Sequence, residues 1–123
     1  MIKIPAGTYF LGDPCYAVED ADWTPLLHSC DFFDGSAKGT LPSGEHVVAF
    51  STAYGDGEYH SQFGDAFPVD AGLIGLVPWT GSETQVEAVK DLLGIKVTFE
   101  TDTNAFSDDG VLVFGHIEID TAG

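Results

Sequence analysis

A chain with twenty Asp and Glu against four Lys, and no Arg at all, has few ways to neutralise its own carboxylates. Its formal net charge is −16 over 123 residues. Arg is the usual fork for phosphate and for buried ion pairs. A chain without it, with four scattered Lys, is not built to hold nucleic acid or an anionic membrane. It is suited to repel them or to bind something basic. The acids are spread along the chain, eleven up to residue 70 and nine after it, so they form a folded carboxylate surface and not a tail.

Strongly acidic chains that stay disordered are poor in aromatic and β-branched residues. This one has nine Phe, four Tyr and two Trp, with 44% hydrophobic residues, enough for a core. The length predicts one domain over 1–123. Self-repulsion is expected to cost it stability at low salt. The start MIKIPAGTYF lacks the apolar run of about seven residues that a signal peptide needs, and no stretch reaches the length of a membrane span. These features predict a cytoplasmic protein with Cys15 and Cys30 reduced.

Residues 1–12 read as a short β segment closed by the turn Gly12-Asp13-Pro14. A helix is expected over 19–30, capped by Asp20 or Asp22, with Pro25 in its first turn and Trp23, Leu26, Leu27 and Cys30 on one side. Residues 31–44, with Gly35, Gly39, Pro42 and Gly44, read as loop. From residue 45 both faces of the chain are apolar, as in a central strand, and Gly55-Asp56-Gly57 reads as a hairpin turn into a return strand over 58–63. Gly64-Asp65 turns again, and residues 67–70 are extended. The run Gly72-Leu73-Ile74-Gly75-Leu76-Val77 is buried, its glycines marking a bulge or a close backbone approach. Ser82 and Gln85 have capping-box spacing for a helix over 82–93, with a stripe of Val86, Val89 and Leu93 and a stop at Gly94. Ile95, Val97 and Phe99 alternate as a strand, Asp109-Gly110 signals a hairpin, and residues 111–120 read as one last strand. The sum is six to eight strands and two short helices. It predicts an α+β fold with a mainly antiparallel sheet, curled or half-closed, and room for one crossover at the second helix.

Chemistry is concentrated at Gly12-Asp13-Pro14-Cys15-Tyr16. Cys15 is a candidate nucleophile, with Asp13 beside it and His28, His46, His60 or His116 as possible bases, although no spacing ties a His to it. The alternative is an Asp-Pro turn followed by a small packed thiol. His28, Cys30 and Cys15 fall short of zinc-ligand spacing. Asp102, Asn104, Asp108 and Asp109 fail the calcium-loop pattern, because Phe106, Ser107 and Val113 occupy positions that need an oxygen ligand, Gly and Glu. Asp56 and Asp70 sit at turns, where Asp is favoured for structural reasons. No phosphate-binding glycine loop is present. No metal or cofactor is expected.

The remaining signal is collective. Glu19, Asp20 and Asp22, followed by Asp31 and Asp34, make one acidic group. Asp56, Glu58 and Asp65 make a second. Glu83, Glu87 and Asp91, spaced i, i+4 and i+8, make one charged stripe down the second helix. Each group has the plain reading of a solvated face, but −16 exceeds what solubility needs. Trp23, Trp79, Tyr54 and Tyr59 are the candidate aromatic anchors beside such a face.

The stretches at 7–16, Tyr54-Gly55-Asp56-Gly57-Glu58-Tyr59 and Val69-Asp70-Ala71-Gly72-Leu73-Ile74-Gly75 resemble those of small uncharacterised proteins from phages and bacteria, over about residues 7–78. The resemblance implies no catalytic residue. It implies a phage or mobile-element origin, a setting in which small acidic proteins inhibit host defence. The expected function is therefore a non-enzymatic interaction protein. It would use Glu19, Asp20, Asp22, Asp56, Glu58, Glu83, Glu87 and Asp91 to occupy the basic nucleic-acid site of a restriction or CRISPR protein. The alternatives are a small enzyme or ligand-binding domain around the Asp13-Cys15-Tyr16 turn, or a structural protein whose charge serves solubility.

Overall fold

The computed structural model describes residues 1–34 and 36–122, so Gly35 lies outside the described residues. Among them the class is α+β and rich in β: eleven strands and two helices, every strand pair antiparallel. The first half of the chain runs β1 (Ile2–Ile4), β2 (Gly7–Gly12), a 3-10 turn (Pro14–Tyr16), α1 (Asp20–Ser29), β3 (Lys38–Thr40), β4 (His46–Ser51) and β5 (Gly57–His60). The second half runs β6 (Ala66–Val69), β7 (Leu73–Pro78), α2 (Glu83–Lys90), β8 (Gly94–Phe99), β9 (Thr103–Asp108), β10 (Val111–Phe114) and β11 (Ile117–Asp120). The strands are divided among three open sheets, ordered β3-β4-β7-β2-β8, β1-β9-β10-β11 and β5-β6.

The five-stranded sheet is the middle layer. Alternation along its strands sends successive side chains to opposite faces. Phe10, Val47, Ala49, Leu73 and Val77 meet Leu26, Cys30 and Ala88 on the helix side. Leu11, Val48, Ile74 and Leu76 meet Leu112, Phe114, Ile117 and Ile119 of the four-stranded sheet on the other. This double burial is why β4 and β7 are apolar on both faces. The expected crossover is present: β7 and β8 flank β2, and α2 connects them.

A row of small residues crosses this sheet. Ala49 pairs with Gly75, Gly75 with Gly12, and Gly12 with Gly94. A Cβ on Gly75 would stand 2.3 Å from the Val48 carbonyl oxygen, and one on Gly94 would stand 2.3 Å from the Phe10 ring. The glycine in the buried run therefore marks a close backbone approach, as its position in an apolar strand suggests.

Several elements depart from expectation, each for a local reason. Residues 1–12 form two strands in different sheets. The segment 31–44 contains β3, whose Gly39 packs closely under α1, where a Cβ would stand 2.8 Å from Leu26 Cδ1. β4 does not pair with β5, because β3 and β7 already occupy both of its edges; β5 pairs with β6 instead. Pro25 lies inside α1, beyond its first turn, and Glu19 takes the N-cap position without a side-chain bond. α2 ends at Lys90; the left-handed residue after it is Leu92 (φ 60°), and Gly94 belongs to β8 beneath the Phe10 ring. The α2 residues that bury fully are Gln85 and Ala88, while Val86 is exposed.

The last strand is two strands. Asp109-Gly110, both with positive φ, closes the expected hairpin, with Asp108 paired to Val111. A second two-residue turn at Gly115-His116 pairs Phe114 with Ile117. It shifts the buried parity from Leu112 and Phe114 to Ile117 and Ile119, so all four enter one core.

Gly75→Ala is expected to destabilise the protein by roughly 3 kcal/mol or to prevent folding, because the added methyl meets backbone that cannot rotate away. A denaturant melt measures this, and a loss below about 1 kcal/mol would mean the strands separate easily.

Candidate functional site

The turn after β2 is organised by Asp13. Its carboxylate is fully buried, the only charged side chain that is buried among the described residues. Oδ1 accepts the Cys15 N–H at 3.0 Å, capping the 3-10 turn. Oδ2 accepts the Asp70 and Ala71 N–H groups at 2.8 and 2.7 Å. Three backbone donors thus converge on one anion. Charge-assisted bonds of this kind are stronger than neutral ones and compensate its burial. The carboxylate ties the end of β2 to the connection between β6 and β7. Its partners are main-chain groups of its own fold, which is a structural role.

Cys15 is half-buried beside it. Burial, then the Asp13 charge and hydrogen bond, then the Asp70 charge push the thiol up to about 12, against a smaller opposite pull from the Ala71 N–H. Burial also raises Tyr16, with the neighbouring Cys15, Asp70 and Asp13 adding to it. A nucleophilic thiol needs the opposite surroundings, cationic and thiolate-stabilising. The imidazoles are engaged elsewhere. His28 lies edge-on to Phe32, His46 Nδ1 is 3.2 Å from Thr40 Oγ1, His60 lies 3.8 Å from Glu58, and His116 packs against Phe99 and Phe63. Cys30 is a separate free thiol, its Sγ 3.5 Å from the Leu26 carbonyl oxygen at the end of α1. Among the described residues no three His, Cys, Asp or Glu converge in a metal-binding group.

The acidic groups separate across the fold. Glu19, Asp20 and Asp22 begin α1, and Glu83, Glu87 and Asp91 run along α2; both helices cover the same face of the five-stranded sheet. None of these six carboxylates makes an ion pair among the described residues. Asp56 and Glu58 stand apart at β5, whose partner β6 contributes Phe67 and Val69 to the inter-sheet core on the far side of that sheet. Glu58 there faces His60. The eight residues therefore do not share one face.

Their physical roles also differ. Asp20, Asp22 and Glu83 lie in first turns, where the helix dipole favours negative charge. Glu87 and Asp91 approach the C-terminal end of α2, where the dipole disfavours it, and Asp91 takes the C-cap position itself. The N-terminus of α2 is well built. Ser82 accepts the Gln85 N–H, while the buried Gln85 amide accepts the Thr80 and Gly81 N–H groups and donates to the Pro78 carbonyl. The helix is thus held firmly at its start, and its acids are displayed on a fixed element.

Of the aromatic anchors, only Tyr54 is exposed, near Asp56 and Glu58. Trp23 and Trp79 pack partly into the helix-side core, Lys96 lies 5.0 Å over the Trp79 ring, and Tyr59 donates to the Gly55 carbonyl. Val86 and Leu92 are the exposed apolar residues of the α2 face, Leu92 with 78% of its surface free. Sequence periodicity places Val86 in the apolar stripe of the helix with Leu92 flanking it, whereas both are exposed.

No family model, curated protein or solved structure matches this chain. Among the described residues no helix is long and apolar enough to cross a membrane.

Asp13→Ala is expected to cost roughly 3 kcal/mol in a denaturant melt, since three backbone donors lose their shared acceptor. Asp13→Asn should recover part of that loss. The Cys15 thiol, pushed up to about 12, should stay protonated at pH 8, so alkylation of the folded protein should be slow and rise steeply toward pH 12. The thiol holds its proton more tightly folded than unfolded. Its contribution to stability is therefore intact below its ordinary value of 9.0 and is lost as pH climbs toward 12. Rapid labelling at pH 8 without unfolding would contradict this environment.

Proposed function

We propose that this chain is a non-enzymatic interaction domain that binds a basic, nucleic-acid-binding protein through the α2 face. The observation that carries the reading is the stripe Glu83, Glu87 and Asp91: exposed, without ion pairs, and extended into the helix end where carboxylates oppose the dipole. Fold stability offers no account of Asp91 at that position. Val86 and Leu92 beside the stripe are exposed apolar groups. Leu92 holds a left-handed backbone that costs a branched residue about 1 kcal/mol or more. Carboxylates spaced on a rigid helix imitate a row of phosphates, and the apolar pair supplies surface that can be desolvated on contact. The overall charge of −16 would speed encounter with a cationic partner and make it salt-sensitive.

The acids at the start of α1 belong to the same helical layer and extend the field. Asp56 and Glu58 fall outside the proposed face. The resemblance to small phage and bacterial proteins favours a host nuclease of a restriction or CRISPR system as the partner, met in the host cytoplasm. The Asp13-Cys15-Tyr16 turn is assigned to structure in this reading, on the strength of its main-chain bonds and its protonated thiol.

Tagged protein retained on a column should recover one basic nucleic-acid-binding protein from host lysate, released by moderate salt and displaced by DNA. Glu83→Gln, Glu87→Gln and Asp91→Asn together should weaken capture at least about tenfold while leaving the melting temperature unchanged or higher. Leu92→Ser should weaken it without altering the salt dependence. Capture that survives the triple change would remove α2 from the interface.

A further inference from the structure

The few cations of this chain are not evenly placed. Between β1 and the β3-β4-β7 end of the five-stranded sheet lies a cleft of 340 Å³, within the size of small-molecule pockets. Half-buried Tyr9 and Pro78 give it apolar surface over the almost fully buried Val48 and Leu76, and Lys3, Lys38 and His46 line it. The pairing explains the arrangement. Lys38 pairs with Val48, and Val48 with Leu76, so Lys38 ends a cross-strand row that runs onto the floor. Two of the four lysines and only one carboxylate of twenty, Glu45, are found here. The cleft between the helices has the reverse character, lined by Glu19, Asp22 and Glu45 with no lysine or histidine.

We infer that this cleft is a binding site for a small organic carboxylate with an apolar body. The body lies on Tyr9 and Pro78, above Val48 and Leu76, and the carboxylate meets Lys38 and Lys3. Lys3 stands 3.2 Å from Asp102 in a largely exposed pair. Such pairs contribute little, so the ammonium can turn to a ligand. The polar groups are lysine point charges, without the fork of Arg that doubly charged phosphates favour. Glu45 in the lining and Asp102 beside Lys3 offset the two ammonium charges, so a ligand is held by local contact with the lysines and carries no more than a single negative charge. A site of this kind uses a few polar groups to orient a ligand whose affinity comes from its apolar part. It is independent of the α2 face, which lies on the helix side of the sheet.

The test is titration of the isotope-labelled full chain with hexanoate and with phenylacetate, followed by amide chemical shifts, with hexylamine as the cationic control. Saturable shifts at Lys38, Val48 and Leu76 are expected with one of the carboxylates, at a dissociation constant below about 1 mM, and none with hexylamine. Lys38→Glu should weaken binding at least about tenfold and Glu45→Gln should tighten it about twofold. Both positions are exposed, so both variants should fold. Absent or non-saturating shifts with both carboxylates, equal shifts with hexylamine, or unchanged affinity in Lys38→Glu would overturn the assignment.

Discussion

The architecture turns on one buried anion. In a chain that sends its other acids toward water, Asp13 is enclosed completely and holds three main-chain N–H groups. An unpaired carboxylate in that position would be prohibitive to bury. The three donors make it tolerable, and in return they lock two connections together. One leads from β2 into the 3-10 turn and α1, and the other joins β6 to β7. β2 and β7 are neighbours in the middle sheet, so the latch also sets the ends of two central strands relative to each other. The same anion helps keep the adjacent thiol protonated. The most conspicuous sequence cluster thus has a definite part in the fold.

With no Arg and few Lys, the core is assembled from apolar side chains and backbone pairing. The five-stranded sheet accommodates this by burying both faces, one under the helices and one against the four-stranded sheet. Glycines at 75 and 94 let strands and the Phe10 ring approach closely where a side chain would collide, and Gly12 beside them leaves only a tight fit for one. The carboxylates are left to the periphery, and the layers sort them. The helix side carries unpaired acids, while the cleft beside β1 collects lysines over an apolar floor. The two clefts therefore differ in charge, the one between the helices lined by carboxylates and the one beside β1 by lysines.

Local signals in the sequence were reliable where a residue's own conformation decided the outcome. Asp109-Gly110 makes its hairpin because two consecutive positive φ values suit those residues. Ser82 caps α2 at the expected place. Signals failed where a distant element competed. Gly94 reads as a helix stop, yet the Phe10 ring requires glycine there for packing, and the left-handed position passes to Leu92. Gly55-Asp56-Gly57 reads as a hairpin, yet both edges of β4 are taken by β3 and β7. Residues 111–120 read as one strand, yet the chain reverses between Phe114 and Ile117. That two-residue reversal is decided by the pairing of the segments on either side of it.

The sequence by itself determined the charge, the excess of apolar and aromatic residues, and hence a folded α+β protein whose carboxylates, Asp13 apart, are not buried. It also determined which residues carry the acidic stripe on α2, because helical spacing is a local property. Only the tertiary structure decided which acids share a layer, which apolar residues remain exposed beside them, and where the lysines gather. Those outcomes depend on contacts between residues far apart in the chain, as the bonds from Asp70 and Ala71 to Asp13 do. Local propensity carries no information about such partners, and the packing that selects them exists only once the layers have met.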